Sequence, residues 1–251
     1  MLSFSEQGHG PALVLLHAYP LDHSMWQSQM DAFSDRYRVV TPDVFGFGGS
    51  QPPRSWTMAD MGDALAALLD QLQIGNCTLA GISMGGYISI PFVLVHPQRV
   101  DRLILAHTRA RADLDAEKAA RNGMIATLKK EGKASLPDKM LPRLLAADAS
   151  HEVKKSVRDS IERASERACI HAVTAMRDRV DQTANLGRIT CPTLVITGGA
   201  DAIIKVEDSE RMASAIPAGQ IRVIEGAGHL SNLETPSEFN QALDEFLSQA
   251  L

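Results

Sequence analysis

The stretch Gly81-Ile82-Ser83-Met84-Gly85-Gly86 places one serine between glycines two residues away on either side. It follows the apolar run Cys77-Thr78-Leu79-Ala80 and leads into a helix-like segment over residues 86–96. A serine thrust out of so tight a strand-to-helix turn sits in a strained backbone conformation. Side chains on either flank would collide there, so glycine is required on both sides. The helix that starts behind Ser83 aims its first N–H groups at the hydroxyl and favours negative charge developing nearby. The chemistry this suggests is nucleophilic attack by serine, and the bland alternative is a glycine-rich packing turn. Placement between a buried run and a helix favours the nucleophile.

A serine hydroxyl is weak at neutral pH and requires a base that is itself oriented by a carboxylate. Eight histidines compete for that role. His9 and His23 lie in polar loop sequence and read as exposed, His96 precedes Pro97 at a helix end, and His151 and His171 fall in a helical stretch. His229 differs, because Gly226-Ala227-Gly228-His229 forms a glycine-rich loop just past the last strand-like run. Such a loop lets the ring swing over the carboxyl edge of a sheet, where open α/β sheets place their sites. Asp201, in Thr197-Gly198-Gly199-Ala200-Asp201, also follows a buried run and lies between Ser83 and His229 in the chain. It is the candidate to fix the His229 tautomer, a helix N-cap being its alternative role. Two backbone N–H groups are needed for an oxyanion, and Met84 and Tyr19 are the candidates, since Pro20 has none to offer.

These residues require elements to hold them. Short runs rich in Leu, Val and Ile occupy residues 12–17, 37–41, 77–82, 102–107, 192–197 and 220–224 without strict polar alternation. Both faces of such strands are expected to be buried, as in a parallel sheet covered by helices. Amphipathic segments lie between them, among them 57–72 with Thr57 as N-cap and 236–251 with Thr235 as cap and Pro236 at the first helical position. The rhythm predicts an α/β fold, a doubly wound, mostly parallel sheet. It breaks between residues 108 and 188, where helical stretches such as 116–130 and 150–179 predict a helical cap inserted into a core of residues 1–107 and 189–251. Residues 109–188 carry 17 Lys/Arg against 12 Asp/Glu, and the remainder 8 against 18. A charge-rich helical segment is ordinarily a solvated face. A lid that attracts anionic substrates or an acidic partner is the functional counterpart.

The 251 residues, 45% hydrophobic and 22% charged, suit a globular chain with a sizeable core. A net charge of −5 argues against nucleic acid as a partner. Three scattered cysteines, Cys77, Cys169 and Cys191, suit a reducing compartment and predict neither a disulfide framework nor a metal cluster. No apolar stretch approaches the ~20 residues of a membrane span. The first residues lack the basic and apolar regions of a signal peptide, so a cytoplasmic location is expected.

Across its length the chain resembles the α/β-hydrolase superfamily. The resemblance rests on His17-Ala18-Tyr19-Pro20, Asp43-Val44-Phe45-Gly46-Phe47-Gly48-Gly49-Ser50, the Ser83 turn, Gly198-Gly199-Ala200-Asp201 and Gly228-His229. Ser83-Met84-Gly85-Gly86, His229-Leu230-Ser231-Asn232-Leu233-Glu234 and Met140-Leu141-Pro142-Arg143-Leu144-Leu145 look most like the 3-oxoadipate enol-lactonase and small carboxylesterase branch. The resemblance implies a serine hydrolase of small esters or lactones that needs no cofactor or metal, with the cap bordering the acyl pocket. Two departures stand out. Ala18 replaces the usual glycine in the oxyanion loop, and Val44-Phe45 replaces a pair that often carries arginine. Tyr19-Pro20 is also similar to the cofactor-free haloperoxidases and perhydrolases, whereas dehalogenases carry aspartate where Ser83 stands. A receptor that keeps the fold without turnover is the non-enzyme alternative. His107 and Arg109 end the run after the Ser83 strand, where Arg109 is expected at the pocket rim to pair a substrate carboxylate. A surface pair at a hinge is the other reading. Trp26, Phe45 and Phe47 read as core or pocket wall, and His17, Trp26, His107 and Arg109 are the candidate substrate contacts.

Overall fold

In the computed structural model, which describes residues 2–51 and 55–250, the apolar runs become strands and the amphipathic segments become helices. In chain order these are β1 (Phe4–Gln7), β2 (Ala12–Leu16), α1 (Gln27–Phe33), β3 (Arg38–Pro42), α2 (Met58–Gln71), β4 (Cys77–Ile82), α3 (Met84–Val95) and β5 (Val100–Ala106). Four helices follow, α4 (Asp115–Glu131), α5 (Leu136–Leu144), α6 (His151–Arg163) and α7 (Glu166–Arg177). The chain then returns through β6 (Thr193–Gly198), α8 (Val206–Ala215), β7 (Gly219–Ile224), α9 (Ser231–Glu234) and α10 (Pro236–Leu247).

The strands form one seven-stranded sheet in the order β1-β3-β2-β4-β5-β6-β7, with β1 antiparallel to β3 and all other pairs parallel. This is the doubly wound sheet expected. β3 lies on one side of β2 and β4 on the other, so the loops leaving β2 and β4 diverge and open a crevice at the carboxyl edge. β4 and β6 are buried along their whole length, which is why their sequences lack alternation.

Local signals explain the helix boundaries. Thr57 caps α2 in a reciprocal box: its Oγ1 accepts from the Asp60 N–H at 3.2 Å, while the Asp60 carboxylate accepts from the Thr57 N–H at 2.7 Å. Several expectations are corrected. β1 carries no strong apolar pattern and was not anticipated. β7 is an edge strand with its middle exposed, rather than buried on both faces. The stretch 150–179 is two helices, because the Ser165 Oγ accepts from the Ala168 N–H and starts α7 anew. Thr235 precedes α10 without capping it; its hydroxyl donates to the Ser231 carbonyl instead. That helix ends at Leu247, and Leu251 lies outside the described residues. Cys77 and Cys169 are buried free thiols, and Cys191 is half-buried. Among the described residues no helix is long and apolar enough to cross a membrane.

Candidate active site

Ser83 stands between β4 and α3 with φ 55° and ψ −109°, a left-handed conformation rare for a non-glycine residue. The sheet and its neighbour hold it there. The Ser83 N–H donates to the Ala106 carbonyl at 2.9 Å, and the Thr108 hydroxyl donates to the Ser83 carbonyl at 2.9 Å. The flanking glycines are required by close approach. A β-carbon on Gly81 would overlap the Gly85 main chain, and one on Gly85 would overlap the Leu16 carbonyl of β2. The first amides of α3 have no acceptor within the helix and face the turn that presents Ser83.

Asp201 follows β6 in a loop that captures its carboxylate. Oδ1 accepts from the Ile203 and Ile204 N–H groups at 2.7 and 3.0 Å. The His229 Nδ1 lies 2.8 Å from Oδ2 and 3.0 Å from Oδ1. Burial alone would push the Asp201 carboxyl up, but the His229 and His107 rings outweigh it and hold the group well below the usual carboxylate range. An ionised carboxylate only accepts hydrogen bonds, so His229 carries its proton on Nδ1 and leaves Nε2 free. Asp201, His107 and His229 each offer one potential ligand atom within 4.8 Å of the others. In the structure the two imidazole Nδ1 atoms lie within hydrogen-bond distance of the carboxylate, at 3.0 and 2.8 Å from Oδ2.

Ser83 and His229 share a cavity of about 310 Å3. Tyr19, from the loop after β2, and Tyr87 of α3 form its walls. Met124 of α4, Met140 of α5 and Met176 of α7, from the helices between β5 and β6, also line it. Its charged lining is Arg109, Arg121 and Arg143 with Asp113 and Glu117. Most of that charge is internally paired. Glu117 takes Arg109 at 2.8 Å and Arg111 at 2.6 Å, and the Arg111 bond in particular lowers its carboxyl to about 2. Buried Asp113 takes Arg179 at 2.7 Å and Arg121 as well. Arg143 is exposed and, among the described residues, has no carboxylate partner.

The candidate residues do not all converge. Ser83, His229, Tyr19 and Arg109 line the cavity, and Asp201 lies directly behind His229. Met84 is fully buried beside Ser83 as the first residue of α3. His17 and Trp26 lie elsewhere. His17 is fully buried, its Nδ1 donating to the Ala18 carbonyl at 2.9 Å and its Nε2 accepting from the Val44 N–H at 2.9 Å, so it ties the β2 loop to the β3 loop. Trp26 is buried against Phe239 of α10. His107 is turned inward, away from any pocket rim: its Nδ1 lies 3.0 Å from Asp201 Oδ2 and its Nε2 lies 2.6 Å from Ser231 Oγ. Arg109 reaches the cavity already bound to Glu117. His23 is half-buried rather than exposed, with Nδ1 2.8 Å from Asp43. The sequence singles out none of Thr108, Tyr87, Met124 and Met176, and it shows Ser231 and Met140 only within family-like motifs, without a role. The signal available for Thr108 was adjacency alone, since residues just past neighbouring strands must meet at one sheet edge.

A family model described as alpha/beta hydrolase fold matches residues 11–236. The 3-oxoadipate enol-lactonase 2 of Acinetobacter baylyi is 30% identical over 245 residues, covering 95% of this chain and 89% of that protein. Among solved structures, a thermophilic esterase from Thermogutta terrifontis, solved with malate bound, superposes with a TM-score of 0.94 at 39% identity, covering 98% of this chain and 92% of the other. The enol-lactonase of Burkholderia xenovorans superposes with a TM-score of 0.91 at 28% identity, covering 99% and 96%. The chain belongs to the α/β-hydrolase family.

Proposed function

We propose that this α/β-hydrolase cleaves a small carboxylic ester by two-step acyl transfer. The observation that carries the reading is the meeting, in one cavity, of a serine held at φ 55° and a histidine whose Nδ1 lies 2.8 Å from a buried carboxylate. Ser83 Oγ attacks the carbonyl carbon while His229 Nε2 takes its proton, and Asp201 stabilises the imidazolium that results. The oxyanion of the tetrahedral intermediate accepts from the Met84 and Tyr19 N–H groups, worth about 10²–10³-fold for each donor in comparable sites. The imidazolium protonates the leaving alkoxide, and the neutral ring then activates water, whose attack releases the acid and regenerates Ser83.

Residues 108–188 act in this reading as a cap, and the methionines they supply shape the acyl pocket. A second reading, hydrolysis of a lactone bearing a carboxylate, is favoured by the unpaired Arg143 at the cavity and by the enol-lactonase relatives. The chemistry is the same, except that the leaving oxygen stays tethered to the acyl chain. Hydrolysis of p-nitrophenyl butyrate and of a muconolactone-type enol-lactone by wild type and Ser83→Ala tests both. Both activities are expected to vanish in the variant, and a variant that retains wild-type turnover would exclude the acyl-enzyme. The ratio of the two wild-type activities separates ester from lactone.

A further inference from the structure

His107 is the buried titratable group that acyl transfer, as described, leaves without a task. Three non-glycine residues have positive φ among the described residues, Gln73, Ser83 and His107, and two of these three are at this site. Histidine and asparagine tolerate that region better than most side chains, and strained residues collect where a geometry is being held. The His107 N–H continues the sheet ladder one step, donating to the Ile196 carbonyl at 2.8 Å, so the main chain of 107 is locked to β6.

The ring has both nitrogens occupied. Asp201 is ionised and can only accept, so His107 Nδ1 must be a donor. His107 is held below the ordinary histidine range, chiefly by burial, and is neutral. Its Nε2 is therefore an acceptor, and the hydroxyl 2.6 Å away on Ser231 donates to it. Asp201 thus selects the His107 tautomer, and the Ser231 hydroxyl, able to donate or accept, completes it. His107 and His229 reach the same oxygen, Oδ2 of Asp201, at 3.0 and 2.8 Å, while Oδ1 is held by two main-chain amides. The two rings meet edge to face with centroids 5.5 Å apart.

We propose that His107 is a positioning residue of the reaction: through a Ser231–His107–Asp201 chain it orients the carboxylate and takes part of its charge, which sets how strongly Asp201 holds the His229 imidazolium. This rests on the acyl-transfer reading above. The titratable groups facing His107 are Asp201, after β6, and His229, after β7. Glu234 of α9 also acts on Asp201, and its own oxygens accept from the Ala146 and Leu230 N–H groups.

The sign follows directly. Removing the His107 donor leaves the Asp201 charge to the imidazolium alone, which favours the charged ring and moves the loss of activity on acidification to higher pH. The test is the pH profile of kcat and kcat/KM on p-nitrophenyl butyrate for wild type, His107→Leu, His107→Asn and Ser231→Ala, with active sites counted by the p-nitrophenol burst. His107→Leu is expected to lower kcat about 10-fold, the scale of one hydrogen bond to a charged group, with KM nearly unchanged. Its acid limb moves to higher pH. Asparagine tolerates φ 49° and can donate to Asp201, so His107→Asn recovers most of kcat and of the wild-type limb. Ser231→Ala moves the limb the same way by less, and decides the matter if His107→Leu does not fold. Wild-type limbs in His107→Leu or Ser231→Ala, or equal losses in Leu and Asn variants with no limb movement, would overturn the proposal. Proton NMR gives a readout without substrate: two low-field imidazole N–H signals in wild type, one in His107→Leu. If Ser83→Ala retains activity, the acyl-transfer reading fails while this spectroscopic result still stands or falls alone.

Discussion

Ser83, His107 and Asp201 follow three adjacent strands, β4, β5 and β6, and the main chain of each is tied into the sheet or its loops. The residues that face them across the cavity come from α4, α5 and α7, each of which contributes one methionine, beside Glu117, Arg121 and Arg143. The two halves of the site are held differently. On the sheet side, ladder bonds and buried polar pairs leave little room for movement, as orientation of reacting groups demands. On the insertion side, unbranched thioether side chains adapt to what they contact. Glu117 and Asp113 gather arginines of the same segment, while Arg163 of α6 reaches across to Asp22, after β2, at 2.9 Å. A stiff platform can therefore keep one chemistry while its cover changes shape.

The largest expected effect tests the stiff half. Asp201→Asn keeps the shape but favours the wrong His229 tautomer, and kcat should fall by about 10⁴-fold with little change in KM. Steady-state kinetics on p-nitrophenyl butyrate would show it. A loss of only a few-fold would mean that the carboxylate is not what organises the ring. The next effect is at the seam. The His229 N–H donates to the Leu144 carbonyl at 3.1 Å, and a β-carbon on Gly228 would sit 2.5 Å from the Ala146 nitrogen and 2.8 Å from the Leu145 carbonyl carbon. Gly228→Ala must therefore displace either the loop after α5 or His229. A displacement near 1 Å at the base costs about 10²-fold in kcat. A normal kcat accompanied by altered ester preference would show instead that the insertion yields and the platform does not.

The sequence showed the platform far better than the cover. Ser83, Asp201 and His229 each sit just past a run of apolar residues, and such runs are conspicuous where a strand is buried on both faces, as β4 is. β1 was invisible because it is short and half-exposed. The run that became β7 looked fully buried because position at the edge of a sheet has no local signature. His107 and Arg109 were placed together at the rim by their spacing. Their separation depends on a left-handed turn at His107 and on a strand order that sets β5 beside β6, and neither is written locally. His17 and Trp26, candidate contacts that lie buried outside the cavity, have a related reason, since a polar or aromatic residue beside a site motif looks the same whether it faces a ligand, the core or a neighbouring loop. The methionines over the cavity could be read as helix faces but not as a pocket, because which face meets the sheet depends on how four helices pack.

Reshaping the cover should leave the chemistry intact. Met140→Ala removes a side chain from the cavity roof and makes room for a longer acyl chain. The ratio of kcat/KM for p-nitrophenyl octanoate over butyrate should rise about 10-fold, the scale of pocket discrimination by a few methylenes. The kcat on acetate should stay close to wild type. A collapse of kcat on every ester would break the comparison, because the insertion would then be part of the catalytic geometry rather than its mould.

The smallest effect concerns charge. Arg143, at the end of α5, is exposed beside the cavity, while Arg109 and Arg121 are bonded to Glu117 and Asp113, each carboxylate being shared with a second arginine. Among the described residues, a substrate carboxylate entering the cavity would find Arg143 as the lining arginine without a carboxylate partner. Because the guanidinium is exposed, solvent and salt screen it, and its contribution is that of a surface pair, about 0.2–1 kcal/mol. Arg143→Gln should therefore raise KM for a carboxylate-bearing ester or lactone by at most about five-fold, with kcat unchanged. It should leave the KM for p-nitrophenyl butyrate as it was. The wild-type advantage for the anionic substrate should shrink as salt rises from low ionic strength, where the Debye length is about 30 Å at 0.01 M, to 1 M, where it is about 3 Å. In the variant that dependence should be flatter. An equal salt response in both proteins would remove Arg143 from substrate choice and leave selection to the shape of the methionine-lined roof.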